Sequence, residues 1–280
     1  MPEAPRPDMH ELLHRGNVAT VIPALNEALR IRGVVEGALR HCDDVIVVDD
    51  GSDDDTLACI ADLPVTVLRH ARRMGKGASL RDGFRMALER GAKAVLTMDG
   101  DGQHSADDIP RLLDAANQHP GCIAIGARLR KRSQQPTYRR LANEFGDWGI
   151  GWGCGFRIAD SQSGQRLYPA AVAALQDVPG EDFVFEAQIL MSASHQLGAG
   201  CVSVPIESRY HGPDAVEQFR RSHFRPLTDL WRITSHVFRQ IWNRGNVMDE
   251  YRRTRGTPPV IHDPSGEFAP ALAPQPHRAG

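Results

Sequence analysis

Short apolar runs alternate with longer amphipathic segments along most of the chain. Continuous β-branched runs are typical of strands buried on both faces of a parallel sheet, whereas a period of about 3.6 residues indicates a helix. Their alternation predicts βαβ units and an α/β fold with a mostly parallel central sheet. The predicted strands are 18–22, 45–48, 65–68, 94–98, 122–127 and 201–205, and the predicted helices are 26–40, 76–90, 107–118, 169–176 and 183–196.

The same pattern divides the chain into four parts. Residues 1–16 carry three prolines and no apolar core, which predicts a flexible leader and not a signal peptide. Residues 17–215 form the α/β domain, and residues 216–245 form a basic, aromatic and amphipathic segment. The part 246–280 is predicted to be a disordered tail, because six prolines fall in its last 23 residues.

The middle of the domain has weaker periodicity than the rest. Residues 129–165 are rich in Arg, Gln and Gly, and glycines alternate at positions 149, 151, 153 and 155. Their spacing is not that of the glycine-rich turn that binds dinucleotides. The pattern therefore predicts a flexible loop.

The segment 216–245 contains a candidate helix with one apolar face. Arg232, His236 and Arg239 lie opposite this face, and the basic and aromatic stretch 220–225 precedes it. Such a helix suits the interface of an anionic membrane. The alternative is packing against the domain or against the second subunit of a homodimer. The predicted apolar face comprises Leu227, Leu230, Trp231, Thr234, Val237, Phe238, Ile241 and Trp242.

Composition limits the classes of partner. The 280 residues are 41% hydrophobic and 24% charged, and the net charge of −2 gives no reason to expect nucleic-acid binding. Five cysteines without a Cys-x-x-Cys spacing predict neither disulfides nor a zinc site, which favours a cytoplasmic protein. No apolar stretch reaches the roughly 18 residues that span a bilayer. Any contact with the inner face of the cell membrane is therefore expected to be peripheral.

Carboxylates mark the ends of two predicted strands. Asp49 and Asp50 end the second strand, and Asp99 and Asp101 follow the fourth. Ligands of parallel α/β sheets bind outside the carboxyl ends of the strands, so both pairs point to one crevice. Carboxylates separated by one residue suit a hard cation, Mg²⁺ or Mn²⁺, and such a cation pairs with a diphosphate. The pattern predicts a metal-dependent nucleotide-sugar site; for the Asp-x-Asp motif alone, a solvated turn is the alternative.

The stretch Gly75-Lys76-Gly77 lacks the spacing of an ATPase phosphate-binding loop, G-x-x-x-x-G-K-[ST]. A tight helix start fits it better, with backbone amides and the Lys76 ammonium near the crevice. We therefore expect Lys76 to contribute to nucleotide-sugar binding and not to define an ATPase.

Ordered motifs along residues 17–225 resemble family 2 glycosyltransferases, and in particular the branch of dolichyl- and polyprenyl-phosphate mannose (or glucose) synthases. The resemblance implies a GT-A-type, Rossmann-like nucleotide-diphospho-sugar transferase fold and makes 17–215 the catalytic domain. The motifs that carry the family are 21–27, 47–52, 75–78 and 98–103, and those that carry the branch are 126–128, 160–168, 183–186 and 204–206.

The resemblance also implies roles for single residues. Asp101 is the principal ligand of a cation that stabilises the departing diphosphate. The match to Arg139 or Arg140, as a further acceptor-phosphate arginine, is loose. The base pocket is assigned to Pro23, Leu25, Glu27, Val48 and Asp50, the cation and diphosphate site to Asp99, Gly100, Asp101 and Gln103, and phosphate contacts to Arg128 and Arg209.

The implied reaction is an inverting transfer to a lipid-linked acceptor, either a polyprenyl phosphate or a lipid-like hydroxyl. A phosphate is already anionic, whereas a hydroxyl needs a general base. Asp182 is the candidate base, in the acidic pair 181–182 where mannose-phosphate synthases usually lack one. The stretch 218–222 echoes a Q-x-x-R-W motif without its tryptophan, which argues against a processive polymerase.

Two other functions remain open from the sequence. A sugar nucleotidyltransferase shares strand-end aspartates, but it normally has a glycine-rich basic loop after the first strand, where this chain has the acidic stretch 23–27. A nucleotide-sugar-binding scaffold without turnover would not need an intact set of Asp99, Asp101 and Gln103.

Overall fold

The structure is a computed structural model that describes residues 12–130, 137–175, 178–180, 182–207, 226–243, 245 and 247–268. In these residues eight strands form one sheet in the order β3-β2-β1-β4-β6-β5-β7-β8. Neighbouring strands run parallel except where β6 pairs with β4 and β5. The strands are β1 Val18–Ala24, β2 Asp44–Asp49, β3 Thr66–Arg69, β4 Ala94–Thr97, β5 Ile123–Arg130, β6 Arg166–Pro169, β7 Cys201–Glu207 and β8 Val260–Ile261.

Strand register brings several chain segments to one rim of the sheet. Ala24 pairs with Asp49 and Val21 pairs with Thr97, so β1, β2 and β4 end at the same rim. Because β6 is antiparallel, its first residue, Arg166, pairs with Thr97. The segment 160–165 therefore reaches the same rim from the opposite direction.

Helices cover both faces of the sheet. Alternate side chains of the strands pack towards α2, α4, α6 and α7 on one face and towards α1 and α3 on the other. This two-sided burial explains why the strands are continuous apolar runs. The helices are α1 Ile31–Leu39, α2 Lys76–Glu89, α3 Ile109–Gln118, α4 Thr137–Cys154, α5 Ala170–Ala173, α6 Phe183–Leu197, α7 Pro226–Asn243 and α8 Val247–Gly256.

The glycine-rich stretch predicted to be a flexible loop belongs mostly to helix α4. Two of its glycines face neighbours that leave no room for a side chain. A Cβ at Gly151 would lie 2.9 Å from the carbonyl oxygen of Phe156, and one at Gly153 would lie 2.5 Å from Sδ of Met191. The glycines therefore permit close helix packing, which outweighs their low helix propensity.

Strand β6 and the short helix α5 replace the predicted helix 169–176. The strand escaped prediction because it begins with a charged residue, Arg166, that is almost fully buried. Its guanidinium has internal hydrogen-bond partners, so a polar residue occupies a core position.

Helix α7 packs on the domain through two residues of the predicted apolar face, Val237 and Ile241, together with Ile233, and the side chains predicted at positions 227, 230 and 231 lie outside the described part of the chain. Ile233, Val237 and Ile241 are buried against α4 and α6. Phe238 and Trp242, which the pattern placed on the same face, are exposed. One side of α7 therefore packs against the domain, which was the alternative to membrane binding, and its aromatic side lies at the surface.

The first part of the predicted disordered tail is folded. Helix α8 packs on α4, and β8 adds to the sheet beside β7. Nε2 of His262 lies 2.9 Å from Oδ2 of Asp114 and ties this strand to α3. The proline-rich composition predicted disorder for this part as well, because composition carries no information on contacts between positions far apart in the chain. Among the described residues, no helix combines the length and apolar character that crossing a bilayer requires.

Candidate active site

The motif 99–103 forms a turn directly after β4. Oδ1 of Asp101 accepts a hydrogen bond of 3.0 Å from the backbone N–H of Gln103, and Gly102 adopts a φ of +72°. The position of a Cβ at Gly164 would coincide with the carboxylate of Asp99. Residue 164 must therefore be glycine for the segment before β6 to close against the motif.

The two carboxylates of the motif differ in their electrostatics. Burial, followed by the negative charge of Asp99, raises the pKa of Asp101 to about 6. Burial also opposes ionisation of Asp99, but the positive charge of Lys76 outweighs it and holds the pKa of Asp99 below its ordinary value. Asp99 is therefore a stable anion, whereas Asp101 gains from a cation at its side.

Lys76 lies where α2 begins and bridges two carboxylates. Its Nζ is 2.7 Å from Oδ1 of Asp99 and 3.0 Å from Oε2 of Glu186. Burial lowers the pKa of Lys76, but the two carboxylates more than reverse this effect and raise it. The sequence motifs predicted no role for Glu186. Its signal was its place in the branch motif 183–186, on the first turn of α6.

His104 is buried behind the motif. Its Nδ1 lies 4.0 Å from Oδ2 of Asp99, and its Nε2 lies 3.3 Å from Oγ of Ser163. Burial lowers the pKa of His104 to about 4, so the imidazole is neutral at pH 7. The Nδ1 atom is buried without a hydrogen-bond partner among the described residues. The ring therefore makes an uncharged wall for the site.

The predicted base pocket is partly assembled at the end of β1. A Cβ at Gly100 would lie 3.2 Å from the carbonyl oxygen of Pro23 and 3.5 Å from Cγ of Glu27, so the metal motif packs directly on this segment. Glu27 lies 3.1 Å from NH1 of Arg30, and burial raises the pKa of the Glu27 carboxyl. Leu25 is half-buried beside them.

Val48 and Asp50, also assigned to the base pocket, lie at the carboxyl end of β2. The Val48 side chain is fully buried on the α2 face of the sheet, one residue before β2 ends. The two oxygens of Asp50 accept hydrogen bonds of 2.7 and 2.8 Å from the backbone N–H groups of Met74 and Gly75. His70 Nδ1 lies 2.8 Å from the same carboxylate. Asp50 thus positions the loop that carries Lys76, and its contact with a base stays a prediction.

Arg128 forms a partly buried ion pair with Asp160, and its contact with a phosphate group stays a prediction. Its Nε and NH2 atoms donate hydrogen bonds of 2.7 and 2.6 Å to the two oxygens of Asp160. Asp160 has a φ of +55°, and its backbone N–H is held by Asp147. The pair anchors the segment before β6. Arg209 lies outside the described residues, and positions 139 and 140 lie in the first turn of α4.

Asp182 begins α6 with a φ of +49°. A Cβ at Gly75 would meet its carboxylate, and a Cβ at Gly77 would lie 3.1 Å from its backbone nitrogen. The carboxylate is half-exposed and lies 3.6 Å from NH1 of Arg232 on α7. The structure thus brings Asp182 beside the start of α2 and ties it to a guanidinium.

Arg166, for which the sequence motifs predicted no role, also helps to build the site. Its guanidinium donates hydrogen bonds of 2.7 Å to the carbonyl oxygens of Ser161, Ser163 and Glu186. A buried charge is tolerated only with such partners. Arg166 therefore joins the segment before β6 to α6.

The donor set suits a hard divalent cation. Asp99 and Asp101 carry carboxylate oxygens, and Gln103 carries an amide oxygen, within the same turn. The part of the chain that the structure describes has no cluster of three or more His, Cys, Asp and Glu placed to hold a metal. Mg²⁺ commonly binds through one or two carboxylates together with water and substrate phosphate oxygens, so the residues present fit such an ion.

The fold and this rim define a GT-A-type glycosyltransferase. Residues 20–170 match the model of Glycosyl transferase family 2, which is more than half of the chain, and the chain belongs to that family. Undecaprenyl-phosphate mannosyltransferase from Micrococcus luteus is 31% identical over 203 residues, covering 68% of this chain and 82% of that protein. Polyprenol monophosphomannose synthase from Mycolicibacterium smegmatis is 31% identical over 204 residues, covering 66% and 75%.

Solved structures share the fold at low sequence identity. Glucosyl-3-phosphoglycerate synthase from Mycobacterium tuberculosis, in complex with Mn²⁺, UDP and glucosyl-3-phosphoglycerate, aligns with a TM-score of 0.57 and 21% identity. The alignment covers 82% of this chain and 80% of that one. Mannosyl-3-phosphoglycerate synthase from Rubrobacter xylanophilus aligns with a TM-score of 0.59 and 19% identity, covering 81% and 73%. The family and branch expected from the motifs are confirmed.

Proposed function

We propose that the protein transfers a sugar, with inversion, from a UDP- or GDP-linked donor to a polyprenyl phosphate, with Mg²⁺ or Mn²⁺ as cofactor. The observation that carries the proposal is the charged rim after β4, where Asp99, Asp101 and Lys76 meet. The names of the relatives from Micrococcus luteus and Mycolicibacterium smegmatis support the acceptor class. The metal in the glucosyl-3-phosphoglycerate synthase complex supports the cofactor.

In the proposed reaction, a phosphate oxygen of the acceptor attacks the anomeric carbon. A carbon–oxygen bond to the acceptor forms as the bond to the diphosphate breaks, and the electron pair leaves with the diphosphate. A bound divalent cation supplies Lewis-acid stabilisation of that charge. Asp99 and Asp101 hold the site negative enough to bind a cation, and Lys76 orients Asp99. The buried, neutral His104 limits access of water from behind.

A phosphate acceptor fits the site better than a hydroxyl. The attacking phosphate is anionic at neutral pH and needs no general base. The candidate base, Asp182, is paired with Arg232. We therefore assign Asp182 a positioning role and propose that Asp182→Asn retains most of the transfer to a phosphate.

The proposal is tested with a panel of UDP- and GDP-sugars, undecaprenyl phosphate in detergent, and Mg²⁺ or Mn²⁺. Mass spectrometry of the lipid and assay of the released nucleotide distinguish the outcomes. Sugar-phosphoryl lipid together with nucleoside diphosphate supports the proposal. Pyrophosphate release would indicate a nucleotidyltransferase, and tight donor binding without product would indicate a scaffold. Undecaprenol is the matched acceptor with a hydroxyl, and equal transfer to it would contradict the phosphate assignment.

A further inference from the structure

The four tryptophans of the chain fall in one part of the fold. They are residues 148, 152, 231 and 242, all within α4 and α7, and the first 147 residues contain none. Tryptophan is enriched where an apolar phase meets water, because its ring is apolar and its N–H is polar. This concentration singles out the face that α4, α7 and α8 share.

Aromatic rings on these three helices touch one another in a continuous series. We name the series Phe145, Trp148, Trp152, Phe238 and Tyr251 the aromatic surface. Ring centroids are 5.6 Å apart for the first two residues and 5.3 Å apart for Trp148 and Trp152. Trp152 lies 5.8 Å from Phe238 and 5.3 Å from Tyr251.

Much of this surface is exposed in the described part of the chain. The exposed fractions are 46% for Phe145, 40% for Trp148 and 39% for Phe238. Trp242, one turn after Phe238, is 78% exposed, and Met248, one turn before Tyr251, is 58% exposed. Contiguous apolar patches of this kind mark sites that bind a partner or a membrane.

The helices that carry the aromatic surface pack closely against one another. Cγ1 of Val237 lies about 4 Å from where a Cβ would stand on Gly149 and Gly153, so α4 and α7 cross closely. Nε1 of Trp152 donates a hydrogen bond of 3.0 Å to the carbonyl oxygen of Val247. The rings are therefore held outward by packing beneath them.

The charge around the surface is positive. Among the described side chains of α4, α7 and α8, the exposed charged groups are five arginines and two carboxylates, Glu144 and Asp249. The guanidinium of Arg255 lies over the Tyr251 ring at 5.9 Å. Positive charge beside aromatic rings complements a layer of anionic lipid headgroups. The five arginines are Arg232, Arg239, Arg252, Arg253 and Arg255.

The surface is attached directly to the active-site rim. Asp147, between two of its aromatic residues, accepts hydrogen bonds of 3.1 and 2.7 Å from the backbone N–H groups of Asp160 and Ser161. Arg232, ten residues before Trp242 on α7, pairs with Asp182. A membrane bound to this surface would lie next to the segment that closes the site.

We propose that the aromatic surface, extended by Trp242 and Met248, docks the protein on a bilayer that contains anionic lipids. The choice of a bilayer as partner rests on the proposed function, because a polyprenyl acceptor resides in membrane. The side of α7 that binds lipid is Phe238 and Trp242, and not the buried side formed by Ile233, Val237 and Ile241.

The experiment measures binding of the full chain to vesicles of phosphatidylcholine alone or mixed with phosphatidylglycerol, without donor or acceptor. Binding to the mixed vesicles is expected, with a blue shift of tryptophan emission and quenching by brominated lipid. The double variant Phe238→Ser with Trp242→Ser is expected to lower the partition coefficient about tenfold or more. Leu197→Ser is the matched control, because this exposed leucine ends α6 at the opposite rim.

Equal partitioning of the double variant and the wild type would overturn the proposal. So would a concentration-dependent dimer that the double variant abolishes, since a second copy would then cover the surface. Tryptophan emission that is already blue-shifted and protected from acrylamide without vesicles would show that another segment of this chain covers it. Circular dichroism checks that the variants fold.

Vesicle binding without sugar transfer would refute the proposed function and leave the membrane docking standing. A variant that transfers sugar in detergent but cannot bind vesicles would show that the aromatic surface serves membrane binding and not the transfer reaction.

Discussion

The nucleotide half of the molecule, from β1 to β4, and the helical half, formed by α4, α7 and α8, are stabilised in different ways. In the nucleotide half, continuous apolar strands pair in parallel, and the polar residues collect at the strand ends. In the helical half, glycines lie inside the packing and aromatic rings lie outside it. The first half concentrates charge for chemistry, whereas the second presents a surface. Substitutions in the nucleotide half should therefore affect activity, and substitutions in the helical half should affect stability or membrane binding.

The largest effect is expected at the carboxylate of the nucleotide half that would bind the cation. Asp101→Asn should lower kcat on the order of a thousandfold, because the leaving diphosphate loses stabilisation of its charge. The fold should persist, because burial and the negative charge of Asp99 make the ionised carboxylate of Asp101 unfavourable in the folded protein. Steady-state assays and thermal melts check both statements. Full activity in the presence of a chelator would refute the metal dependence.

Where the two halves join, Arg166→Met should cost about 3 kcal/mol of unfolding free energy. The substitution leaves three buried carbonyl oxygens without their donor. Arg85→Met is the matched control, because Arg85 is exposed and its ion pair with Asp82 is a surface pair worth about 0–1 kcal/mol. Chemical denaturation measures both, and equal losses would contradict the positioning role of Arg166.

Lys76→Met should reduce transfer about a hundredfold, and Glu186→Gln about tenfold, because an amide oxygen still accepts a hydrogen bond. Removing the ammonium next to Asp99 should also tighten Mn²⁺ binding, since the lysine and the metal ion repel each other. Isothermal titration with Mn²⁺ alone checks this second statement without turnover. Lys93→Met, at an exposed lysine, is the control. Unchanged Mn²⁺ affinity in Lys76→Met would count against the electrostatic account.

In the helical half, Gly153→Ala should destabilise the protein by about 1–3 kcal/mol, because its Cβ meets Sδ of Met191. Gly33→Ala in α1 is the matched change, since nothing lies within 4 Å of its Cβ. That variant should gain about 0.5–1 kcal/mol from helix propensity. Opposite signs in denaturant melts support the packing argument, and a stabilising Gly153→Ala would break it.

The smallest effect concerns one carboxyl from each half. Burial raises the pKa of both Asp101 and Asp147 to about 6. A carboxyl with a raised pKa in the folded protein stabilises the fold when protonated, and that contribution is lost as the pH rises through about 6. The unfolding free energy should thus increase between pH 7 and pH 5, by about 1 kcal/mol for each carboxyl after solvent screening. Denaturant melts of the wild type and of Asp101→Asn across this pH range measure the change in unfolding free energy. An identical pH dependence of the two proteins would contradict the contribution of Asp101.

The sequence alone determined the α/β class, the positions of strands β1 to β5 along the chain, and the placement of Asp99 and Asp101 at a strand end. These features are local, because a buried strand is a continuous apolar run and its end is marked by polar residues and glycine. The family resemblance rested on the same local motifs and supplied the reaction class.

Only the tertiary structure decided what these residues touch. Three contacts join positions far apart in the chain: the ion pair of Lys76 with Glu186, the ion pair of Arg128 with Asp160, and the hydrogen bond from the backbone N–H of Met74 to Asp50. A sequence pattern contains no distances of this kind. The glycines of α4 were misread for the same reason: a glycine next to a facing helix and a glycine in a loop have the same sequence signature, and only the neighbour across the packing distinguishes them.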